Sequence, residues 1–451
     1  DLTGNWNVII SNIFIGKRSA SHMKFFDLSP AEQVAATMRR VYDRGLTTAT
    51  GGNISMMDQN GDIWITPKGY DKGSLTSEDI VCVHADGSYE GKHEPSSEIF
   101  FHRATYRARP DFRAVVHAHP VFCIAFSLTR TFPRIDLLPD TLTRCKNMRL
   151  SKYAMMGSPE LGENMYAEFS KGADVVFLEN HGICVGAENL LKGYQLFETI
   201  EFAAKLDLLS RKLGSPRVIT EDQFSAWQAR PANELPTFQN HQPDERERGL
   251  RAEMVQKLRR GCEHALLTGA VGVCSARVSE NSFLITPRDM DNALLEESDL
   301  VLIRDGAAEV GKQPSLETPL HAAIYQAHAE INAVFSAAPA HVAAFAASEQ
   351  PFETSTVPES YYMLRAVPRR PMNEYYGAPE SAAAQFSAKT PVVLFENSRI
   401  VTTGNSLFTA FDRLEVAEAT AASILTAKEA GQVIYLSEAE IQALRTAFHL
   451  E

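Results

Sequence analysis

The stretch Asp111-Phe-Arg-Ala-Val-Val-His-Ala-His-Pro120 returns later in the chain as Glu330-Ile-Asn-Ala-Val-Phe-Ser-Ala-Ala-Pro339. Three further blocks recur in the same order, at separations that range only from 217 residues (His181 to Ser398) to 220 residues (Thr66 to Thr286). These blocks are Ile65-Thr-Pro-Lys68 with Ile285-Thr-Pro-Arg288, Glu94-Pro-Ser-Ser-Glu98 with Gln313-Pro-Ser-Leu-Glu317, and Val176-Phe-Leu-Glu-Asn-His181 with Val393-Leu-Phe-Glu-Asn-Ser398. A period this long exceeds the units of solenoid repeats and indicates a duplicated domain.

A polar, proline-interrupted segment, residues 230–248, separates the two copies and is typical of a linker. We therefore predict a first copy over residues 24–229 and a second copy over residues 249–451. Residues 1–23 are set aside as an N-terminal extension, because Ser21-His22-Met23 is consistent with a cloning junction before a natural start at Met23. No secretory signal pattern is visible in this extension.

Short β-rich runs alternate with helical segments in the first copy. Ser29-Pro30 is typical of a helix start, with serine as the cap and proline in the first turn. Residues 96–107 and 190–213 also have helical patterns, whereas residues 63–66, 80–84, 114–119 and 175–178 are predicted strands. This alternation indicates an α/β domain, although periodicity alone does not give the strand order.

Composition limits the classes of function. The chain has 451 residues, of which 44% are hydrophobic and 22% are charged, as in globular proteins, and no apolar run is long enough for a membrane span. Its formal net charge of -12 has the wrong sign for binding nucleic acid or anionic lipid. The six cysteines form no CxxC pair, so we expect buried thiols in a reducing compartment, the cytoplasm.

Three histidines suggest a metal site. His117 and His119 are two positions apart at the end of a predicted strand, so both rings face one side and can reach one ion. His181 supplies a third imidazole directly after another β run. Three histidine ligands with an open fourth position are typical of catalytic zinc. The alternative is a pair of half-buried histidines on a sheet surface and a turn histidine before Gly182.

Further candidate groups surround a possible anion site. Glu98 lies at the start of a predicted helix, where it could act as general base or transient ligand, and Ser96 or Ser97 could cap that helix. The alternative is an ordinary helix start, since Glu317 keeps the acid in the second copy. The candidate anion-binding residues offer backbone N–H groups, hydroxyls or a cation, and they are Gly52, Asn53, Lys68, Gly69, Ser96 and Ser97.

The two copies differ where chemistry is expected. All three candidate ligands are lost together in the second copy, where the matched residues are Ser336, Ala338 and Ser398. Joint loss suggests that they act as a unit, so the first copy is predicted to be active and the second degenerate. The Glu98, His102 and Tyr106 pattern persists in the second copy, which favours a scaffold role for His102 and Tyr106.

In this order, the Gly-Gly-Asn, Ile-Thr-Pro-Lys-Gly, Pro-Ser-Ser-Glu, His-Ala-His-Pro and Glu-Asn-His-Gly blocks resemble the class II aldolase/adducin family, strongly over residues 24–215 and weakly over 249–451. The resemblance implies a three-layer α/β/α domain with a mainly antiparallel central sheet, present twice. It implies Zn²⁺, or another divalent metal such as Mn²⁺, on His117, His119 and His181, with Glu98 as catalytic acid/base. It also implies that the anion-binding residues cradle a substrate phosphate.

One part of the family pattern is missing. An aldolase of this family uses a tyrosine from a neighbouring subunit, but the comparable segment, residues 133–140, contains none. Asp140 resembles an acid used there by an epimerase of the family, or Tyr361 or Tyr362 of the second copy could reach in instead. Because the family forms four-fold rings, we expect a homo-oligomer in which two chains build a ring of four domains.

The resemblance implies a lyase that cleaves a carbon–carbon bond of a ketose phosphate or related sugar-acid derivative through a metal-stabilised enediolate. The alternatives are epimerisation or decarboxylation at the same site, or a non-catalytic adducin-like interaction module.

Overall fold

A computed structural model describes residues 25–230, 234–239 and 241–450. The N-terminal extension lies outside these residues, as does part of the predicted linker. The chain divides into two compact units: the first comprises residues up to Pro120 with 151–178 and 182–194, and the second comprises 121–150, 179–181 and 195 onward. No helix in the described part of the chain is both long and apolar enough to cross a lipid bilayer.

The helices are numbered α1 to α15 in chain order. They are α1 (Pro30–Asp43), α2 (Ile99–Ala108), α3 (Val121–Thr129), α4 (Pro139–Arg144), α5 (Pro159–Ser170), α6 (Leu190–Arg211), α7 (Glu221–Gln228), α8 (Glu245–Glu263), α9 (Thr318–Ala327), α10 (Ala340–Ala346), α11 (Pro358–Leu364), α12 (Met372–Gly377), α13 (Pro379–Ala383), α14 (Leu407–Ala430) and α15 (Glu438–Ala447).

The strands are numbered β1 to β17. They are β1 (Asn53–Met57), β2 (Ile63–Ile65), β3 (Val81–Val83), β4 (Tyr89–Glu90), β5 (Ala114–Ala118), β6 (Met148–Ser151), β7 (Val175–Leu178), β8 (Gly182–Ala187), β9 (Thr237–Phe238), β10 (Val273–Ser279), β11 (Ser282–Ile285), β12 (Val301–Arg304), β13 (Ala307–Glu309), β14 (Ala333–Ala337), β15 (Arg369–Arg370), β16 (Val392–Phe395) and β17 (Ile400–Gly404).

The first unit is built on an eight-stranded sheet in the order β4-β3-β2-β1-β5-β8-β7-β6. The pairings along β4-β3-β2-β1-β5-β8-β7 are antiparallel. On one face, Val115 of β5 belongs to a buried cluster with Phe101 of α2 and Met165 of α5. On the other face, Gly193 of α6 lies so close that a Cβ there would be 3.2 Å from the Val116 side chain. Helices therefore cover both faces of the sheet.

The second unit repeats this layering on a nine-stranded sheet in the order β15-β16-β17-β14-β10-β11-β12-β13-β9. Only the edge pairings β13 with β9 and β15 with β16 are parallel among the described strands. Alternate residues of β14 enter separate cores: Val334 packs with Ile324 of α9, whereas Phe335 packs in the cluster that holds Leu414 of α14. The predicted three-layer α/β/α architecture with a mainly antiparallel sheet, present twice, is confirmed.

Two local predictions are also confirmed. Helix α1 begins at Pro30, and the Ser29 hydroxyl accepts from the Glu32 N–H at 3.3 Å while the Glu32 carboxylate accepts from the Ser29 N–H at 2.8 Å. This reciprocal pair satisfies N–H groups that the first turn cannot pair within the helix. All six cysteines are buried free thiols, as expected from their apolar surroundings.

Candidate active site

Strand β5 carries His117 near its end, and His119 follows the strand directly. Strand β1 pairs with β5 so that Asn53 lies opposite His117. His181 ends the tight turn between β7 and β8, which is closed by the pairing of Leu178 with Gly182. Although residues 179–181 are grouped with the second unit, this hairpin fixes their place on the sheet of the first.

The three imidazoles converge. One ring nitrogen from each of His117, His119 and His181 lies within 4.8 Å of the other two. His117 is fully buried, and its Nδ1 is 2.9 Å from the Ile183 carbonyl oxygen. Because a carbonyl can only accept, Nδ1 carries the proton and Nε2 has its lone pair available, which is the form that binds a metal. The donor set therefore fits a divalent ion such as Zn²⁺.

A buried carboxylate lies beside these rings. Glu98 occupies the N-terminal end of α2, where its Oε2 accepts from Asn53 Nδ2 at 2.6 Å and lies 3.4 Å from His117 Nε2. The pairing of β1 with β5 is what brings Asn53 between the helix and the histidine. A carboxylate held by one amide donor next to a metal-binding cluster is suited to proton transfer.

A hydrogen-bond chain behind Asn53 was not anticipated from the sequence. The Ser55 hydroxyl lies 2.7 Å from both Tyr106 Oη and His102 Nδ1, and His102 Nε2 lies 2.5 Å from Asn53 Oδ1. Burial lowers the pKa of His102 to about 3, so the ring is neutral. Its Nε2–H donates to Asn53 Oδ1, which directs the Asn53 amide toward Glu98.

The second copy keeps the rear of this chain. Ser275 lies 2.7 Å from both His321 Nδ1 and Tyr325 Oη, as in the first copy. There, His321 Nε2 lies 3.0 Å from the Ser336 hydroxyl instead of an asparagine. Retention without the three metal-ligand candidates supports the scaffold role predicted for His102 and Tyr106. The signal that could have identified the chain was the serine repeated with this pair in both copies.

The candidate anion-binding residues come from adjacent loops. Gly52 has a φ of +70°, and a Cβ there would lie 2.6 Å from the His117 carbonyl oxygen, so only glycine fits without a shift. Lys68 is exposed and pairs with Glu94 at 3.6 Å. The Lys68 N–H donates to the Glu94 carbonyl at 3.1 Å, which joins this turn, with Gly69 beside it, to the segment before α2.

The predicted serine cap of α2 is wrong. The helix begins at Ile99 with Glu98 as its N-cap residue, and no side chain caps it. Ser96 is buried, and its hydroxyl accepts from the Glu98 N–H at 3.3 Å, whereas Ser97 is exposed. The reason is a turn before the helix: the Ser96 N–H donates to the Thr66 carbonyl at 3.2 Å, which keeps the serines outside the first helical turn.

The residues considered for the missing tyrosine lie in the second unit. Tyr361 and Tyr362 are on α11, where Tyr361 Oη accepts from Arg445 Nε at 2.7 Å and Tyr362 packs on Phe448. Asp140 is on α4 and pairs with Arg399 at 2.8 Å, so it lies at the site of the second copy. Action of the tyrosines on a first-copy site stays a prediction.

Comparison with known proteins identifies the class. The family model described as Class II Aldolase and Adducin N-terminal domain matches residues 32–208 and again residues 252–425. The chain belongs to this family and carries its domain twice.

Individual relatives resemble about one copy. The chain is 32% identical over 198 residues to a 5-deoxy-D-ribulose 1-phosphate aldolase of Bacillus thuringiensis serovar kurstaki, covering 43% of this chain and 91% of the relative. It is 34% identical over 194 residues to an L-fuculose phosphate aldolase of Escherichia coli K12, covering 43% and 89%. It is also 31% identical over 184 residues to a 3-oxo-tetronate 4-phosphate decarboxylase of Haemophilus influenzae, covering 40% and 87%.

Proposed function

We propose that the first copy is a metal-dependent lyase that cleaves a carbon–carbon bond of a ketose phosphate or related sugar-acid derivative. The observation that carries this proposal is the convergence of His117, His119 and His181 within 4.8 Å. These three side chains would hold Zn²⁺ or another divalent ion such as Mn²⁺. When bound, such an ion supplies Lewis-acid polarisation of substrate oxygens. Two aldolases among the relatives support the reaction class.

The chain's own residues divide the remaining work. Glu98 would move the proton at the carbon next to the cleaved bond, a contribution of roughly 10²–10⁴-fold. Asn53, 2.6 Å away, holds the Glu98 carboxylate in place. A substrate phosphate would be held by the loop residues Gly52, Asn53, Lys68, Gly69, Ser96 and Ser97. Fixing the phosphate there converts binding into orientation of the reacting carbon.

Replacing one imidazole tests the metal requirement. His119→Ala introduces the residue that the second copy has at the matched position, Ala338. We expect it to abolish both metal binding, measured by elemental analysis, and turnover, because two ligands hold the ion far less tightly than three. Ser336→Ala in the second copy is the matched control and leaves both unchanged. Full turnover in verified metal-free protein would overturn the proposal.

We also propose that two chains complete each other's active sites. Helix α4, although part of the first copy in sequence, lines a cavity beside Glu317, the counterpart of Glu98. The same spacing of 219 that relates Glu98 to Glu317 relates Thr143, in that cavity, to Tyr362 on α11. By this correspondence, α11 of one chain would reach the first copy of another chain, forming the ring of four domains.

A mixing experiment tests this exchange. His119→Ala and Tyr362→Phe should each have little activity as purified proteins. Co-assembled after mild dissociation, a mixed pair contains one site with all three histidines and an intact Tyr362, so we expect activity to return. No recovery in assemblies shown by mass to contain both chains, or an obligate monomer by light scattering, would contradict the exchange.

A second candidate reaction is decarboxylation of a sugar-acid phosphate at the same residues, favoured by the similarity to the Haemophilus influenzae decarboxylase. Product analysis distinguishes the reactions: a lyase yields two carbon fragments, a decarboxylase yields carbon dioxide, and an epimerase yields an isomer of the substrate. Protein that binds no metal and turns over none of these substrates would instead support the adducin-like module.

A further inference from the structure

The second unit encloses a cavity of about 420 Å³ next to Glu317. It occupies the place in the second copy where the first copy gathers its histidines, because Ser398, the counterpart of His181, is in its lining. Its volume lies within the range of pockets that bind small metabolites.

A guanidinium is built into this cavity. Arg399, which follows Ser398, is buried, and its Nη1 lies 2.8 Å from Asp140 Oδ2 while its Nε lies 3.7 Å from Glu317 Oε1. Burial alone would raise the pKa of Asp140, but the charge of Arg399 outweighs it and lowers that pKa. The second copy therefore holds a fixed cation where it lacks the histidines for a metal.

Three more arginines line the same cavity: Arg144, Arg230 and Arg288. Among the residues for which the structure gives positions, none of these three forms an ion pair with a carboxylate. The guanidinium of Arg230 lies 3.7 Å over the ring of Trp227. The Arg288 Nε is buried and has no hydrogen-bond partner within 25–230, 234–239 and 241–450. The cavity thus presents cationic donors without the acids that normally neutralise them.

Comparison of the copies shows that one acid has been lost. In the first copy, Lys68 pairs with Glu94 at 3.6 Å. The second copy keeps the backbone of this loop, since the Arg288 N–H donates to the Gln313 carbonyl at 2.8 Å. Gln313 replaces the acid, so the cation at this position is available to an external anion.

We propose that the second copy binds the phosphate monoester of a small hydroxylated compound in this cavity, without a metal. The planar guanidinium fork matches phosphate oxygens two at a time, and three guanidiniums lacking acid partners suit a doubly charged group. The hydroxyls of Ser398 and Tyr376 line the same space and can contact the hydroxylated part of the ligand. This proposal does not depend on the reaction of the first copy.

A local spectroscopic signal can detect this binding in the full-length protein. The chain has three tryptophans, and Trp227 lies in the cavity lining. In protein labelled with fluorotryptophan, fluorine NMR should show a saturable shift of the Trp227 resonance, assigned through Trp227→Phe, when glycerol 3-phosphate is added. Glycerol should produce no shift, and glycerate should bind more weakly.

Substitution of Arg288 separates this site from the first copy. We expect Arg288→Gln to weaken binding of glycerol 3-phosphate at Trp227 by about tenfold or more, the typical effect of losing a charged hydrogen bond. The matched substitution in the first copy, Lys68→Gln, should leave the Trp227 response unchanged. Arg144→Gln is the second variant if Arg288→Gln fails to fold. An absent or non-saturable shift, an equal affinity in both arginine variants, or equal affinity for glycerate would overturn the proposal.

Discussion

Gly52→Ala should damage the metal cluster far more than a chemically identical change at Gly69. Both glycines have a positive φ, +70° and +64°, so alanine at either position pays about 1–2 kcal/mol for a left-handed backbone. At Gly52 the new Cβ would also lie 2.6 Å from the His117 carbonyl oxygen and 2.9 Å from the Ala118 Cα, whereas at Gly69 nothing lies within 4 Å. Relieving that backbone contact adds roughly 1–3 kcal/mol at Gly52 alone.

The assay is competition for Zn²⁺ with a chromogenic chelator, alongside thermal unfolding. The relief of the contact must displace β1 from β5 beside His117, so we expect Gly52→Ala to lower metal affinity by about 10–100-fold, the range seen when support of a ligand is lost. Gly69→Ala should keep the wild-type metal affinity and lose only the backbone part of the stability. Equal metal affinities and equal melting temperatures for the two variants would refute the reasoning.

Two further predictions concern the buried hydrogen-bond chains. Ser55→Ala should lower kcat while metal content stays normal, because Asn53 loses the support of His102; Ser275→Ala removes the same contacts in the second copy and should leave kcat unchanged. Burial lowers the pKa of His321 to about 3 from its ordinary 6.5, so the unfolded chain takes up a proton that the folded chain refuses, and stability falls as the pH drops from 6.5 toward 3. Between pH 7 and pH 5 this histidine should cost about 2 kcal/mol, so His321→Gln should show a smaller decrease in melting temperature over that interval.

The sequence was informative wherever the chemistry depends on nearby residues or on the internal repeat. His117 and His119 share a face because they are two apart on a strand, and the matched blocks exposed both the duplication and the joint loss of histidines. The layered α/β/α fold came from the resemblance, because periodicity predicts strands and helices without their order. The structure supplied that order, with β1 and β8 on either side of β5.

The parts of the site that escaped prediction depend on register and long-range packing. Asn53 and Glu98 are 45 residues apart, and their hydrogen bond exists only because β1 pairs with β5 in a register that places Asn53 beside His117. The start of α2 was misplaced because a backbone bond from Ser96 to Thr66, on a different loop, decides it. The position of Asp140 was equally hidden, since its partner Arg399 lies in the other copy.

The place of α4 has a consequence for the history of the gene. A break at the linker would cut through the second unit, because residues 121–150 belong to it. A C-terminal fragment made alone would bury the charge of Arg399 without Asp140, at a cost of about 3–5 kcal/mol. Once fused, the two ancestral genes could not separate again into single-domain genes unless Arg399 changed first, so the pairing of these two residues acts as a one-way step in the evolution of the chain.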